Sequence, residues 1–468
     1  MACAPPARGE RIRSCRRAPE SPATSYFAAQ AALDEARQAG GGAAPALIDL
    51  GVAESFPALR PALSANGLLQ AAAEAASRAA VEGTHAGYTS FEGDEACRAA
   101  VAAAMQRHVY RLRDGAGTGG HSDSQDSAPF PGRGVVTEDV VLACGATAAV
   151  EALLFALCDP GDCVVVPAPC YPAFFVDATR AEVQLAPTAP EASISREALE
   201  EAARGAEGRG LRVRGVLLTS PCNPTGRLHA REEVQAVCDW ADARGAFVLW
   251  DAVYAGTAAD ESAAAQSVPR PSDPARLHTV WGISKDFGLS GWRVGAIHTR
   301  DEGVREALRV QARWMSASRL AQAAVAAMLE DGPRLEAALR EGAALLAARA
   351  ALGRRTLLEC GVPAEALSTS APGAGPLDFV DASLQGKVIV DEERMWRRAL
   401  ELGVSVVRGE GCLAAWPGGV RVCWGAAESD DVLREGARRL ARAICEAIDE
   451  ADQAPQRSPS AAQVARSE

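Results

Sequence analysis

Lysine is nearly missing from this chain. Of its 48 basic residues only Lys285 and Lys387 are lysines, and the rest are arginine. Asparagine is as scarce, with Asn223 one of two. The 13 cysteines include no CxxC pair, and the six histidines share no ligand spacing with them. That disfavours a disulfide framework and a zinc site and favours a reducing compartment. No apolar run reaches membrane-spanning length. The best candidate, "VVLACGATAAVEALLFALC", is interrupted by Gly145 and Glu151. There is no excess of positive charge: the net charge is −12, which disfavours nucleic acid and anionic membrane as partners.

What is present is a chain of 468 residues with 48% hydrophobic content, enough for two domains or for one large domain with a smaller one appended. Residues 1–25 carry Arg8, Arg11, Arg13, Arg16 and Arg17 and read as a disordered tail, with an organelle-targeting segment as the other reading. Residues 113–134, "RDGAGTGGHSDSQDSAPFPGRG", read as a surface insertion loop, and 451–468 as a polar tail. Between them, short apolar runs alternate with helical periods. "VVLAC", "CVVVPAP", "VRGVLLTSP", "AFVLWDAVY", "LHTVWGIS" and "RVGAIHT" read as strands. "SREALEEAARGA", with Ser195 as N-cap, and "REEVQAVCDWADARG", closed by Gly245, read as crossover helices. The pattern predicts a mostly parallel sheet. From about Val310 the chain turns to long helices, then to strands expected at "GKVIV", "GVSVV" and "VRVCW" and a final helix, as in a smaller α+β domain. The segment "ALIDLGVAES" is expected to pack against it.

Ligands of such sheets sit beyond the carboxyl ends of the strands, where four motifs fall. "CGATAA" places Gly145, Ala146 and Thr147 between strand and helix, an anion cradle or simply tight packing. "SPCNPTGR" holds Asn223 in an Asn-Pro turn that could aim its amide. "DAVYAG" ends a strand with Asp251 and Tyr254; an acid there needs a cationic partner, either an arginine or a protonated heteroaromatic nitrogen. "GISKDFGLSGWRVG" holds Ser284, Lys285 and Arg293. An amine can attack a carbonyl and a guanidinium cannot, so a lysine kept in an arginine-rich chain suggests imine chemistry, against the alternative of a chance survivor. Together the motifs describe a ligand with a phosphate, a basic ring nitrogen, a phenolic oxygen and an aldehyde, which is pyridoxal phosphate.

In order and residues these motifs resemble the fold-type I, class I/II aminotransferase superfamily. "GATAAVEAL", "DPGD", "VPAPCYPAF", "GLSGWRVGAI" and "GVRVCW" are most similar to its 1-aminocyclopropane-1-carboxylate synthase branch. The resemblance covers roughly residues 46–447. It implies the pyridoxal-phosphate-dependent transferase fold: an α/β protein with a mostly parallel seven-stranded sheet in a large domain, plus a smaller α+β domain. The implied division is an N-terminal segment at 26–60, a cofactor-binding domain at 61–330 and a small domain at 331–450. Lys285 would bond the cofactor aldehyde and shuttle protons, and Asp251 would pair with the ring nitrogen. Asn223 and Tyr254 would hydrogen-bond the ring oxygen, and Tyr171 would stack on the ring. Gly145, Ala146, Thr147, Ser284 and Arg293 would hold the phosphate, and Tyr88 would reach the phosphate of a neighbouring subunit in a homodimer. Arg421, Glu54 and Asn223 would meet the substrate.

Four positions depart from the pattern. Gly282 stands where the family has a phosphate-binding serine, Ser55 and Val150 stand where the synthase branch has asparagines, and the Tyr88 segment is longer than in the plant synthases. The expected function is a cytoplasmic aminotransferase acting on an α-amino acid and a 2-oxo acid. The alternatives are a synthase-type lyase acting on S-adenosylmethionine and a cofactor-binding protein with little activity.

Overall fold

A computed structural model describes residues 46–83, 85–112, 134–190, 193–367 and 375–453. The expected N-terminal tail, most of the insertion loop and the stretch after residue 453 lie outside the described residues. The main sheet is built from β2 (Val140–Ala143), β3 (Asp162–Val166), β4 (Gln184–Pro187), β5 (Arg212–Thr219), β6 (Phe247–Asp251), β7 (Leu277–Gly282) and β8 (Gly295–Thr299). Their order is β2-β8-β7-β6-β5-β3-β4. All neighbouring pairs are parallel except those of β8, which runs antiparallel between β7 and β2. The sheet is therefore the expected mostly parallel, seven-stranded one. β4 did not stand out in the sequence, because Gln184 is exposed and Leu185 only half-buried.

Successive residues of a strand point to opposite faces, and both faces here are apolar. Val140, Leu142, Val165, Leu218 and Trp250 enter one core layer. Val141, Ala143, Val164, Leu217 and Leu249 enter the other. Crossover helices cover both layers. The helix Arg196–Gly208 starts at Ser195, whose Oγ accepts from the Ala198 N–H at 3.1 Å. The helix Arg231–Arg244 stops at Gly245 in the left-handed region, at φ 61°.

A second core lies around β9 (Leu377–Asp381), β11 (Val407–Arg408) and β12 (Gly419–Cys423), which form an antiparallel sheet in the order β11-β12-β9. β1 (Ile48–Asp49) pairs in parallel with β10 (Val404–Ser405), and Leu50 is buried in that core beside Val404 and Trp424. The segment "ALIDLGVAES" reaches this core through Ile48, Asp49 and Leu50. The expected strand "GKVIV" is not one. Residues 382–388 turn, with Leu384 and Gln385 at φ 52° and 63°, and Ile389 is 68% exposed. The strand runs instead through "LDFVD". Its two aspartates hid it in the sequence, yet both are satisfied. Asp378 accepts from Arg354 Nη1 (2.9 Å) and Trp424 Nε1 (3.0 Å), and Asp381 accepts from the Ser383 and Gln385 N–H groups at 3.0 Å each. "GVSVV" is divided between β10 and β11.

Candidate active site

The carboxyl ends of β2, β5, β6 and β7 lie on one edge of the sheet, and the four motifs come directly after them. β6 ends on Asp251, in register with Thr219 of β5 and Val280 of β7. Beyond these ends is a cavity of about 220 Å³. Its walls include Ala146, Thr147, Tyr171, Asn223, Asp251, Tyr254, Ser284, Lys285 and Arg293. Nine of the residues singled out in the sequence thus share one enclosure.

At one end Gly145 turns the chain from β2 into the helix Ala146–Leu157. Its φ of 86° is a glycine conformation, and a Cβ there would collide with Arg293 Nη2. Arg293 is held over this turn by donating to the carbonyls of Ser290 (2.9 Å) and Cys144 (3.2 Å). A twelve-residue helix therefore starts against a guanidinium, with Ser284 on the same cavity wall, and the combination suits an anion. Gly282 closes β7 opposite Gly295 of β8. A Cβ at position 282 would lie 3.0 Å from the Val294 carbonyl oxygen and 3.2 Å from the Gly295 Cα. Close approach of the two strands accounts for the glycine where the family has serine.

At the other end Asp251 is 6% exposed and accepts a long hydrogen bond from the Val253 N–H (3.3 Å). Burial pushes its carboxyl up to about 7, and the nearby Lys285 charge opposes the rise. Burial also drives the Tyr254 hydroxyl well above its ordinary range. Lys285 is moved the other way: burial lowers its ammonium, and the Glu54 charge partly restores it. Its Nζ donates to the Ala53 carbonyl at 2.7 Å. Burial thus disfavours the charged form of both the lysine and the acid, a pairing suited to proton transfer and to carbonyl attack.

Arg421 on β12 is 2% exposed. It donates from Nη1 to Asn223 Oδ1 (3.1 Å) and from Nη2 to the Gly51 carbonyl (2.5 Å). Asn223, with its Oδ1 so engaged, lines the cavity. Glu54 accepts a hydrogen bond from Ser290 Oγ, which ties the N-terminal segment to the lysine turn. Tyr88 takes no part in the cavity of its own chain. It is 95% exposed, and its ring lies 6.1 Å from that of Phe91. A larger cavity of about 520 Å³ adjoins the first across Asn223, but no lysine lines it, and its Asp381 is occupied by Ser383 and Gln385.

The sequence did not single out four contributors. Ala53 acts through a backbone carbonyl, which no side-chain pattern reports. Ser290 lies inside the lysine segment, where nothing in its spacing marks it out from an ordinary loop serine. Asp177 lines the cavity from a short helix. Asp286, next to Lys285, accepts from the Gly256 N–H (3.0 Å) and Trp281 Nε1 (2.7 Å), joining the lysine turn to the turn after Tyr254. Its position beside the lysine was the available signal.

The sequence profile of the aminotransferase class I and II family matches residues 61–440. A 1-aminocyclopropane-1-carboxylate synthase of Cucurbita maxima is 32% identical over 324 residues, covering 66% of this chain and 67% of that protein. A synthase of the same name from Oryza sativa subsp. indica is 33% identical over 304 residues, 61% of each. The chain thus spans 61% to 67% of the length of these relatives. In three dimensions, the Thermus thermophilus aspartate aminotransferase solved with maleate superposes with a TM-score of 0.71 at 22% identity, over 94% of this chain and 100% of that one. The aspartate aminotransferase of Thermotoga maritima gives 0.66 at 22%, over 93% and 99%. These last two speak to the fold. The chain belongs to the aminotransferase class I and II family. The family depends on pyridoxal phosphate, and the residues present fit that group: a helix start and guanidinium for a phosphate, an acid for a ring nitrogen, and an amine for an aldehyde.

Proposed function

We propose that this protein transfers an amino group between an α-amino acid and a 2-oxo acid, with Lys285 as the residue that bonds pyridoxal phosphate and moves the proton. The observation that carries the reading is the convergence on one cavity of Lys285, whose ammonium burial disfavours, with Asp251, Asn223 and Tyr254. When bound, the cofactor supplies an electron sink for a carbanion at the substrate α-carbon. The protein does the rest. The N–H groups at Gly145–Thr147, with Ser284 and Arg293, hold the phosphate. Asp251 holds a positive charge at the ring nitrogen. Asn223 and Tyr254 donate to the ring oxygen, and Tyr171 covers a ring face. Arg421 binds the substrate carboxylate, with Asn223 and Glu54 beside it. Lys285 Nζ, freed when the substrate amine takes its place at the cofactor aldehyde, would take the α-proton and deliver it to the former aldehyde carbon; water would then release the 2-oxo acid, and a second 2-oxo acid would accept the amino group by the same steps in reverse.

The names of the sequence relatives favour a second reading, a synthase-type lyase that acts on S-adenosylmethionine. It uses the same residues as far as proton removal and differs in the next step, where a sulfonium leaving group is displaced in place of reprotonation. The visible spectrum separates the two. A band that bleaches with an amino acid and returns with a 2-oxo acid supports transfer. A band that persists while S-adenosylmethionine is turned over to a cyclic amino acid supports the lyase. No band with added cofactor refutes both.

We infer a homodimer in which Tyr88 serves the partner's site. Tyr88 is fully presented to solvent, and Phe155, Val310 and Trp314 are exposed on the adjacent helices Ala146–Leu157 and Glu302–Met315, an apolar area that a second copy would cover. Light scattering should give twice 48.6 kDa; the monomer mass would refute it. Among the described residues no helix is long and apolar enough to cross a membrane. A cytoplasmic location accords with that and with the cysteine usage.

A further inference from the structure

One carboxylate in the cavity has no part in the scheme above. Asp177, on the helix Phe174–Arg180, lines the same cavity as Asp251 and is 5% exposed. Among the described residues its carboxylate accepts no hydrogen bond and forms no ion pair. Arg180, the cation on its own helix, is ion-paired with Glu151 at 2.9 Å and its side chain is 70% exposed. Across the cavity the cations have other duties. Lys285 is bonded to the Ala53 carbonyl, and Arg293 is bonded to two carbonyls over the Gly145 turn. Asp177 is thus a buried acid, turned to a ligand cavity, with a second acid facing the same space.

A buried carboxylate without donors gives up its charge by taking a proton. A second carboxylate in the same enclosure opposes ionisation of the first. The charges that face Asp177 agree. Glu151, from the helix Ala146–Leu157, and Asp251, from β6, both favour its neutral form, and only Arg180 opposes them. Burial is the largest influence, and the carboxyl is pushed up to about 7.

We propose that Asp177 is a positioning residue: it stands in the cavity as the neutral acid and donates a hydrogen bond to the Asp251 carboxylate. The pair then carries one negative charge, matched to a single cationic ring nitrogen. The O–H of Asp177 fixes the orientation of Asp251, which no other side-chain donor among the described residues does. This role rests on the proposed cofactor reading, whereas the proton on Asp177 does not.

The test uses the protein loaded with pyridoxal phosphate, as wild type, Asp177→Asn and Asp177→Leu. Asparagine keeps a donor at the position; leucine keeps the size and removes it. Infrared spectra at about pH 6, where ordinary carboxyls are ionised, should show a protonated-carboxyl stretch in wild type that is diminished by one carboxyl in both variants, over the constant contribution of Asp286, whose carboxyl burial also pushes up to about 7. An undiminished or absent band overturns the proposal. The dissociation constant for pyridoxal phosphate should rise about tenfold or more in Asp177→Leu, the size of a lost hydrogen bond to a charged group, and stay within about threefold in Asp177→Asn. Equal constants in all three proteins overturn the positioning role. If Asp177→Leu does not fold, the infrared comparison with Asp177→Asn still decides. A wild type that shows no cofactor band at all refutes the cofactor reading and the positioning role with it. The infrared difference on the cofactor-free protein then judges the proton on Asp177 separately.

Discussion

Replacing Asp251 with asparagine should have opposite effects on the empty and the loaded protein. Burial raises the Asp251 carboxyl from 3.8 to about 7, so the folded chain holds this proton more tightly than the unfolded chain does. At about pH 4 and below, both states are protonated and the group is neutral to stability. As pH climbs to about 7 the folded state must either keep a proton the unfolded state has lost or bury a charge, and stability falls. A difference of roughly three units is worth about 4 kcal/mol once pH exceeds both values. Asparagine of the same shape removes that cost. Urea unfolding of cofactor-free Asp251→Asn should therefore match wild type at about pH 4 and exceed it by up to ~4 kcal/mol at about pH 9. Loaded with pyridoxal phosphate, the same variant loses the charge that faces the ring nitrogen, and its cofactor should dissociate about a hundredfold more readily. A variant less stable than wild type at about pH 9 without cofactor would refute the claim that this acid is strained until a cation arrives.

Particular contacts lead to three further outcomes. Lys285→Arg should abolish turnover and Lys387→Arg, at an exposed turn, should be silent; equal activity in the two would remove Lys285 from its role. Arg421→Lys cannot reach both Asn223 and the Gly51 carbonyl, so KM for the amino acid should rise about tenfold or more, with kcat less affected. An unchanged KM would place the substrate carboxylate elsewhere. Gly282→Ser puts a Cβ 3.0 Å from the Val294 carbonyl oxygen and should cost about 1–3 kcal/mol in urea unfolding; an unchanged midpoint would mean that β7 and β8 part freely.

Much of the fold was legible because the central strands are buried on both faces, so "VVLAC", "VRGVLLTSP" and "FVLWD" stand out as apolar runs. The site was legible where residue type was informative. Lysine and asparagine are so rare here that Lys285 and Asn223 stand out by type alone. What the sequence hid has two physical reasons: some side chains are satisfied or made distinctive by groups distant in the chain, and elsewhere the backbone decides, which no side-chain pattern reports. "LDFVD" looks unlike a strand until Arg354 and Trp424 meet Asp378. "GKVIV" looks like one until Leu384 and Gln385 turn the chain ahead of it. Asp177 reads as one more polar residue of a short helix, and only the cavity shows that it shares an enclosure with Asp251. Ala53 contributes a carbonyl, which every residue has.

The bond between Lys285 and pyridoxal phosphate is the centre of the proposed chemistry. Borohydride reduction of the loaded protein, digestion and mass spectrometry test it directly. The peptide spanning "GISKDFGLSGWR" should carry the added mass of the reduced cofactor on Lys285. Cofactor mass on Lys387 instead, or on no lysine in a protein that shows the visible band, would contradict it.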